Sequence, residues 1–158
     1  MKRILFLVDR NNLGKQAEGE FGMFRLTENG DPFNTIYTVN RLKSAKVPSD
    51  SNVVISTIQR LFSLLTGQEI VDNDDDDEDT ATSEVQLTGN MTLPPDFFDL
   101  IIIDECHRSI YGNWKKVLEY FNTANLIGLT ATPVPETKAY KRIPVITDFT
   151  DEHCYECM

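Results

Sequence analysis

The sequence has few cysteines and no long apolar run, and each absence excludes a class of protein. The first apolar run, Ile4–Val8, ends at Asp9, far short of the roughly 20 apolar residues that cross a bilayer. We therefore expect neither a transmembrane helix nor a secretory signal. Three cysteines in 158 residues are too few for a disulfide framework, which favours the cytoplasm. The chain also has no internal repeat and no heptad pattern, which excludes solenoids and coiled coils.

Basic residues are scarce, but the acidic excess is local. The chain has 15 Lys+Arg against 25 Asp+Glu, and residues 72–79 carry seven of its ten net negative charges. No Lys or Arg occurs between Arg60 and Arg108. We interpret residues 67–95 as an acidic, mobile insertion, and we disfavour a metal site or a DNA mimic there. Its charge would repel phosphates, so it should lie away from any nucleic-acid track.

The rest of the chain alternates short apolar runs with helical patterns. Runs that are apolar at every position are typical of strands covered on both faces, as in a parallel sheet. Helical spacing follows several of them, as in Leu13, Ala17 and Phe21. The alternation predicts an α/β layered domain. The predicted strands are 4–8, 35–39, 53–58, 100–103 and 126–129.

The most informative segment is Asp99-Leu-Ile-Ile-Ile-Asp104-Glu105-Cys106-His107. An apolar strand here delivers two adjacent carboxylates to its carboxyl end, where open α/β sheets bind their ligands. Magnesium prefers oxygen ligands and retains water, so Asp104 suits the metal and Glu105 suits an attacking water. An acidic pair in this position can instead cap the next helix. The second segment, Gly128-Leu-Thr-Ala-Thr-Pro133, follows one helix and one strand later and favours function over capping.

Together these segments resemble known motifs. Asp104-Glu105-Cys106-His107 resembles the Walker B element of superfamily 2 helicases, the DExH box, and residues 128–133 resemble motif III. Residues 3–17 resemble motif Ia and residues 55–61 resemble motif Ib. The residues of these motifs are most similar to those in the motor part of type I restriction endonuclease R (HsdR) subunits. The resemblance implies a three-layer, parallel-sheet, RecA-like (P-loop NTPase) domain that hydrolyses ATP with magnesium.

The resemblance also implies roles for single residues. Asp104 would coordinate magnesium on ATP through water, and Glu105 would activate the attacking water. His107, Thr130 and Thr132 would couple the nucleotide site to the rest of the motor. Cys106 is interpreted as a small buried residue.

Three further residues would lie along the nucleic-acid backbone, where donors hold phosphates without reading sequence. They are Arg10, Thr57 and Gln59. For two of them a plainer interpretation stays open: Arg10 as a surface charge and Thr57 as a helix cap. His107 can likewise be a packed, hydrogen-bonded histidine.

The sequence lacks a phosphate cradle, which is the P-loop that binds the phosphates of ATP. A P-loop needs glycine-rich backbone amides and a lysine, but Gly14-Lys15 is followed by Gln16, and the position five before Gly14 is Asp9. We therefore expect residues 1–158 to form part of a first RecA-like lobe that lacks the P-loop strand. Its tail, residues 134–158, is poorly determined by sequence, with one strand expected around residues 142–149. An uncovered edge or groove is expected, and with it self-association.

The implied partners are duplex DNA, the remaining motor polypeptide, and the specificity and methylation subunits of a restriction complex, with no membrane. The isolated chain should lack useful ATPase activity and should bind neither ATP nor magnesium tightly. Two alternatives stay open: a non-catalytic remnant that acts as an interaction module, and a DExH helicase outside restriction.

Overall fold

A computed structural model describes residues 3–43, 46–67, 93–106 and 112–130, together with the backbone of a short strand at residues 145–146. No helix in these ranges is long and apolar enough to span a bilayer. The elements in chain order are β1 (Ile4–Val8), α1 (Asn11–Met23), α2 (Phe33–Ile36), β2 (Val39–Arg41), β3 (Val53–Thr57), α3 (Ile58–Thr66), β4 (Leu100–Asp104), α4 (Gly112–Tyr120), β5 (Asn125–Leu129) and β6 (Val145–Ile146).

The strands form one parallel sheet in the order β2-β3-β1-β4-β5-β6. Parallel neighbours need crossover connections, and helices provide them here. All five residues of β3 are buried, as expected for an apolar strand inside a parallel sheet. The predicted α/β fold is confirmed.

Helices lie on both faces of the sheet, which makes three layers. On one face, α3 and α4 pack together over a core that contains Leu5 and Leu7 of β1 and Ile101 and Ile103 of β4. Alternate residues of a strand point to opposite faces, so Val8 faces the other layer. There α1 approaches closely: a Cβ placed on Gly14 would lie 3.5 Å from Val8 Cγ2.

An ion pair fixes α1 to the edge strand. Arg41 Nε of β2 lies 3.0 Å from Glu18 Oε2 of α1, and the Arg41 side chain is only 16% exposed. Gly14 leaves room for the Arg41 stem, since its added Cβ would lie 3.4 Å from Arg41 Cδ. The helical layer that contains α1 therefore lies over β1, β2 and β3.

One predicted strand was wrong. Residues 35–39 were expected to be extended, but Phe33–Ile36 form a helical turn and the strand begins at Val39. Pro32 starts this turn, and its carbonyl accepts a hydrogen bond from Thr35 Oγ1 at 2.6 Å. The Phe33 ring packs against Phe21 of α1, with centroids 5.5 Å apart. The hydrogen-bonded turn after Pro32 and the ring packing thus override the β propensity of this segment.

The acidic insertion predicted at residues 67–95 lies mostly outside the described residues. Before it, α3 ends at Gly67, which adopts a left-handed conformation with φ of 70°. After it, Leu93 is fully buried, and its carbonyl accepts a hydrogen bond from Tyr120 Oη at 2.8 Å. Of the tail at residues 134–158, only β6 is described, and it lies within the range where a strand was expected.

Candidate active site

Four strands end at one edge of the sheet, and a polar residue lies at or directly after the end of each one. Because β1, β3, β4 and β5 are parallel, their carboxyl ends share this edge, where open α/β sheets bind ligands. Asp104 pairs with Leu129 in the register of β4 and β5, so Glu105 and Thr130 leave the sheet side by side. The fold thus brings together the residues of two separate sequence motifs.

The backbone turns sharply immediately after Asp104. Glu105 has a φ of 51°, in the left-handed region that non-glycine residues rarely occupy. Its N–H donates a hydrogen bond to Asp104 Oδ1 at 3.1 Å, which holds the two acidic residues in one tight turn. Backbone strain of this kind costs about 1–3 kcal/mol and tends to cluster at functional sites.

A hydroxyl from the neighbouring strand reaches the second carboxylate. Thr130 Oγ1 lies 3.4 Å from Glu105 Oε2, within reach of a long hydrogen bond. Thr130 is 2% exposed, so its side chain has little freedom to turn elsewhere. The contact links the end of β5 to the turn after β4.

The electrostatics of the edge favour a proton or a cation at Asp104. Burial raises the pKa of the Asp104 carboxyl above its ordinary value. The Glu105 N–H lowers this pKa, whereas the negative charges of Glu105 and Asp9 raise it. Asp9 was not predicted as a site residue. The signal that could have identified Asp9 is its position directly after β1. Because β1 pairs with β4, that position lies at the same sheet edge as Asp104.

Cys106, the next residue, has an unreactive thiol. It is fully buried and belongs to the core, which confirms its interpretation as a small packing residue. Burial, together with the charges of Glu105 and Asp104, raises the pKa of the thiol to about 11. The thiol therefore stays protonated at neutral pH and is a poor nucleophile.

The predicted nucleic-acid residues lie at the same edge, where β1 and β3 end. Val8 pairs with Thr57 in the register of these strands, so Arg10 follows β1 close to the start of α3. Arg10 is 58% exposed, and its Nε lies 3.6 Å from Asp9 Oδ2. Gln59 is exposed in the first turn of α3.

Thr57 has a structural role at this edge. Its side chain caps α3 by accepting a hydrogen bond from the Arg60 N–H at 3.3 Å, and the residue is 8% exposed. The capping interpretation is therefore correct for Thr57, and its role toward nucleic acid stays a prediction.

Two predicted coupling residues, His107 and Thr132, lie outside the described residues. Within the described part of the chain, no group of three or more His, Cys, Asp or Glu side chains is placed to hold a metal ion. The described residues therefore form no complete metal site, and a magnesium ion that Asp104 holds through water would also need phosphate oxygens.

Comparison with known proteins gives two findings. Residues 1–135 match the family described as "Type III restriction enzyme, res subunit". The sequence is also similar to three type I restriction enzyme endonuclease subunits: EcoAI of Escherichia coli, 36% identical over 137 residues, SsaAORF53P of Staphylococcus saprophyticus, 31% identical over 134 residues, and EcoKI of Escherichia coli K12, 30% identical over 156 residues. These alignments cover 84%, 84% and 86% of this chain, but only 13%, 12% and 11% of the respective relatives.

Proposed function

Because the chain belongs to the family described as type III restriction enzyme, res subunit, we propose that it forms part of an ATP-dependent DNA translocase motor. The R subunit of a type I restriction enzyme is the most fitting setting, since the three relatives above are type I endonuclease subunits. A DExH helicase outside restriction has no such support. The chain spans about an eighth of those relatives, so the activity belongs to a larger polypeptide.

The observation that carries the proposal is the contact between the end of β4 and the end of β5, which we call the junction. Asp104 and Glu105 leave β4 in a strained turn, and Thr130 leaves β5 with its hydroxyl 3.4 Å from the Glu105 carboxylate. A turn that only capped the next helix would need neither the strain nor this cross-strand contact. The arrangement suits an acidic residue that must be held in one orientation.

The chemistry assigned to this junction is activation of water beside a phosphate. Asp104 would hold magnesium through water, and the ion when bound would neutralise charge on the phosphate oxygens. The residue fits this role, because burial and two neighbouring carboxylates disfavour its free anionic form. Glu105 orients the attacking water and accepts its proton. Thr130 fixes the Glu105 side chain, and we assign nucleotide coupling to Thr130, Thr132 and His107.

The DNA contacts are proposed on the β1 and β3 side of the same edge. The exposed Arg10 side chain would hold a phosphate by charge, and Gln59 would donate a hydrogen bond. Thr57 would support the track mainly by capping α3, which orients the free amides of that helix's first turn. Such contacts position a duplex without reading its sequence, so recognition would belong to a separate specificity subunit.

The phosphate cradle must come from outside these residues. The sequence contains no P-loop, and backbone amides with a lysine are what bind the phosphates tightly. We propose that the larger polypeptide supplies the cradle and the second motor lobe. It would work in the cytoplasm with specificity and methylation subunits. Residues 1–158 alone would then hydrolyse no useful amount of ATP.

The test is complementation in a larger relative. Residues 1–135 replace the corresponding segment of the Escherichia coli EcoAI endonuclease subunit, and magnesium-dependent ATP hydrolysis is measured with and without duplex DNA. We expect DNA-stimulated hydrolysis by the chimera and none by the isolated chain. A chimera that folds, as judged by circular dichroism, but does not hydrolyse ATP would favour the non-catalytic interaction module.

A further inference from the structure

A tight hairpin connects the end of α1 to the start of α2. Arg25 and Pro32 form an antiparallel bridge at its base. Beyond this bridge, the Leu26 N–H donates a hydrogen bond to the Asp31 carbonyl at 2.9 Å. Residues 27–31 are all exposed. This segment, which we call the connecting hairpin, is therefore closed at its base and accessible to water at its tip.

The tip of the connecting hairpin contains Asn29-Gly30, the one place in the sequence where glycine follows asparagine. This pair is chemically labile, because glycine has no Cβ to hinder the approach of its backbone nitrogen to the preceding side-chain amide. A bond forms between Gly30 N and Asn29 Cγ, and the Cγ–Nδ2 bond breaks. Nδ2 leaves as ammonia with the proton that Gly30 N has lost. Water then opens the resulting succinimide ring to give aspartate or isoaspartate.

Both reacting groups are hydrogen-bonded while the connecting hairpin is closed. The Gly30 N–H donates a hydrogen bond to the Leu26 carbonyl at 2.8 Å, which shields the proton that the reaction must remove. Asp31 holds the Asn29 amide at both of its atoms. Asn29 Nδ2 donates to Asp31 Oδ2 at 2.8 Å, and Asn29 Oδ1 accepts from the Asp31 N–H at 3.1 Å. The attacking nitrogen and the leaving nitrogen therefore both have other partners.

We propose that Asn29 is a site of spontaneous deamidation and that Asp31 protects it in the folded chain. The reaction requires local opening, since the Gly30 N–H must leave the Leu26 carbonyl and the Asn29 amide must leave Asp31. Exposed loops open locally at a much lower free energy than the whole chain unfolds. The product places a second negative charge beside Asp31, and isoaspartate lengthens the main chain by one carbon atom. Deamidation therefore marks chains in which the connecting hairpin has opened, and it prevents the hairpin from closing in the same way.

The test is peptide mapping by mass spectrometry of the full chain after incubation at mildly alkaline pH, where hydroxide removes the Gly30 proton. The rate of deamidation at Asn29 is compared between the folded chain and the same chain unfolded in urea. We expect the folded chain to react at least about tenfold more slowly, because only its open fraction reacts. Asn34 is the internal control: it is also exposed, but Thr35 follows it, and the branched side chain hinders ring closure. In urea, Asn34 should therefore react more slowly than Asn29.

Two variants test the role of Asp31. In the folded state, Asp31→Ala should deamidate at Asn29 several-fold faster than the wild type, whereas Asp31→Asn keeps an acceptor oxygen and should stay close to it. Circular dichroism checks that both variants fold. Equal rates in the folded and unfolded wild type overturn the proposal, as does an unfolded chain that does not react at Asn29. An Asp31→Ala variant that reacts no faster than the wild type also overturns it. The readout needs neither nucleotide nor DNA, so it is independent of the proposed motor function.

Discussion

The hydroxyl of Thr130 lies 3.4 Å from a carboxylate oxygen of Glu105, although 25 positions separate the two residues in the chain. The register of β4 and β5 makes this contact possible, because both strands end at the same level of the sheet. It joins the two sequence motifs that carry the proposed chemistry into one site.

The first prediction concerns this contact. In the active chimera, Thr130→Ala should lower kcat for ATP hydrolysis about tenfold and leave KM nearly unchanged, since the hydroxyl orients the general base and does not bind substrate. Thr130→Ser keeps the hydroxyl and should retain most of the activity. Steady-state kinetics of the two variants make the comparison. Equal losses in Ala and Ser would mean that the methyl group matters, not the hydroxyl.

The second prediction concerns the strained turn at Glu105. At most helical and extended positions alanine is favoured over glycine, but a φ of 51° reverses that preference. Glu105→Gly should therefore be more stable to unfolding than Glu105→Ala by about 1 kcal/mol. Both variants lack the carboxylate, so their difference isolates the backbone. Urea unfolding of the isolated chain measures it, and an alanine variant as stable as the glycine variant would show that no strain is stored there.

The third prediction concerns Asp104 and pH. Its pKa is raised in the folded chain, so the folded state binds the proton more tightly than the unfolded state does. The contribution of Asp104 to stability is thus present below its unfolded pKa and is lost as pH rises through its folded pKa. Asp104→Asn keeps the oxygen that accepts the Glu105 N–H and removes the charge.

The expected result for Asp104→Asn is a higher denaturation midpoint than the wild type at neutral pH. The difference should shrink as the pH falls toward the ordinary aspartate value of 3.8. Thermal unfolding at a series of pH values provides the measurement. A difference that grows on acidification would contradict the assigned direction of the shift.

The fourth prediction concerns the cap of α3. Thr57→Ala should destabilise the chain by about 1 kcal/mol, because the Arg60 N–H loses its side-chain acceptor. Thr57→Ser keeps an acceptor oxygen and should cost less. Denaturant unfolding separates the two variants. If the cap is the main contribution of Thr57 to DNA binding, Thr57→Ser should also preserve the salt dependence of duplex binding, which filter binding would show.

The sequence predicted most of what depends on short-range pattern. The apolar runs located β1, β3, β4 and β5 to within one residue at either end, because continuous branched residues fit a strand that is covered on both faces. The pairing of Asp104-Glu105 with residues 128–133 pointed to the edge of the sheet where β4 and β5 end side by side. The strand predicted at residues 35–39 was wrong because Pro32 and the Phe33 ring stabilise a helical turn there. A local sequence pattern does not show ring packing between elements.

Other features of the site needed the three-dimensional structure. Asp9 lies within residues 3–17, which resemble motif Ia, but its effect on the pKa of Asp104 follows from the adjacency of β1 and β4. The left-handed φ of Glu105 has no sequence signal, since glycine and asparagine are the usual residues there. The uncovered edge or groove expected from a missing strand stays a prediction.

The most direct test of the central claim is the effect of Glu105→Gln on magnesium-dependent ATP hydrolysis by the chimera with the EcoAI subunit. Glu119→Gln is the matched control, because Glu119 is an exposed acid on α4 that pairs weakly with Lys115 at 3.9 Å. We predict that Glu105→Gln lowers kcat by about 100-fold or more, while Glu119→Gln leaves it unchanged. Equal activity of the Glu105→Gln and Glu119→Gln chimeras would contradict the account, since Glu105 would then be only part of a turn.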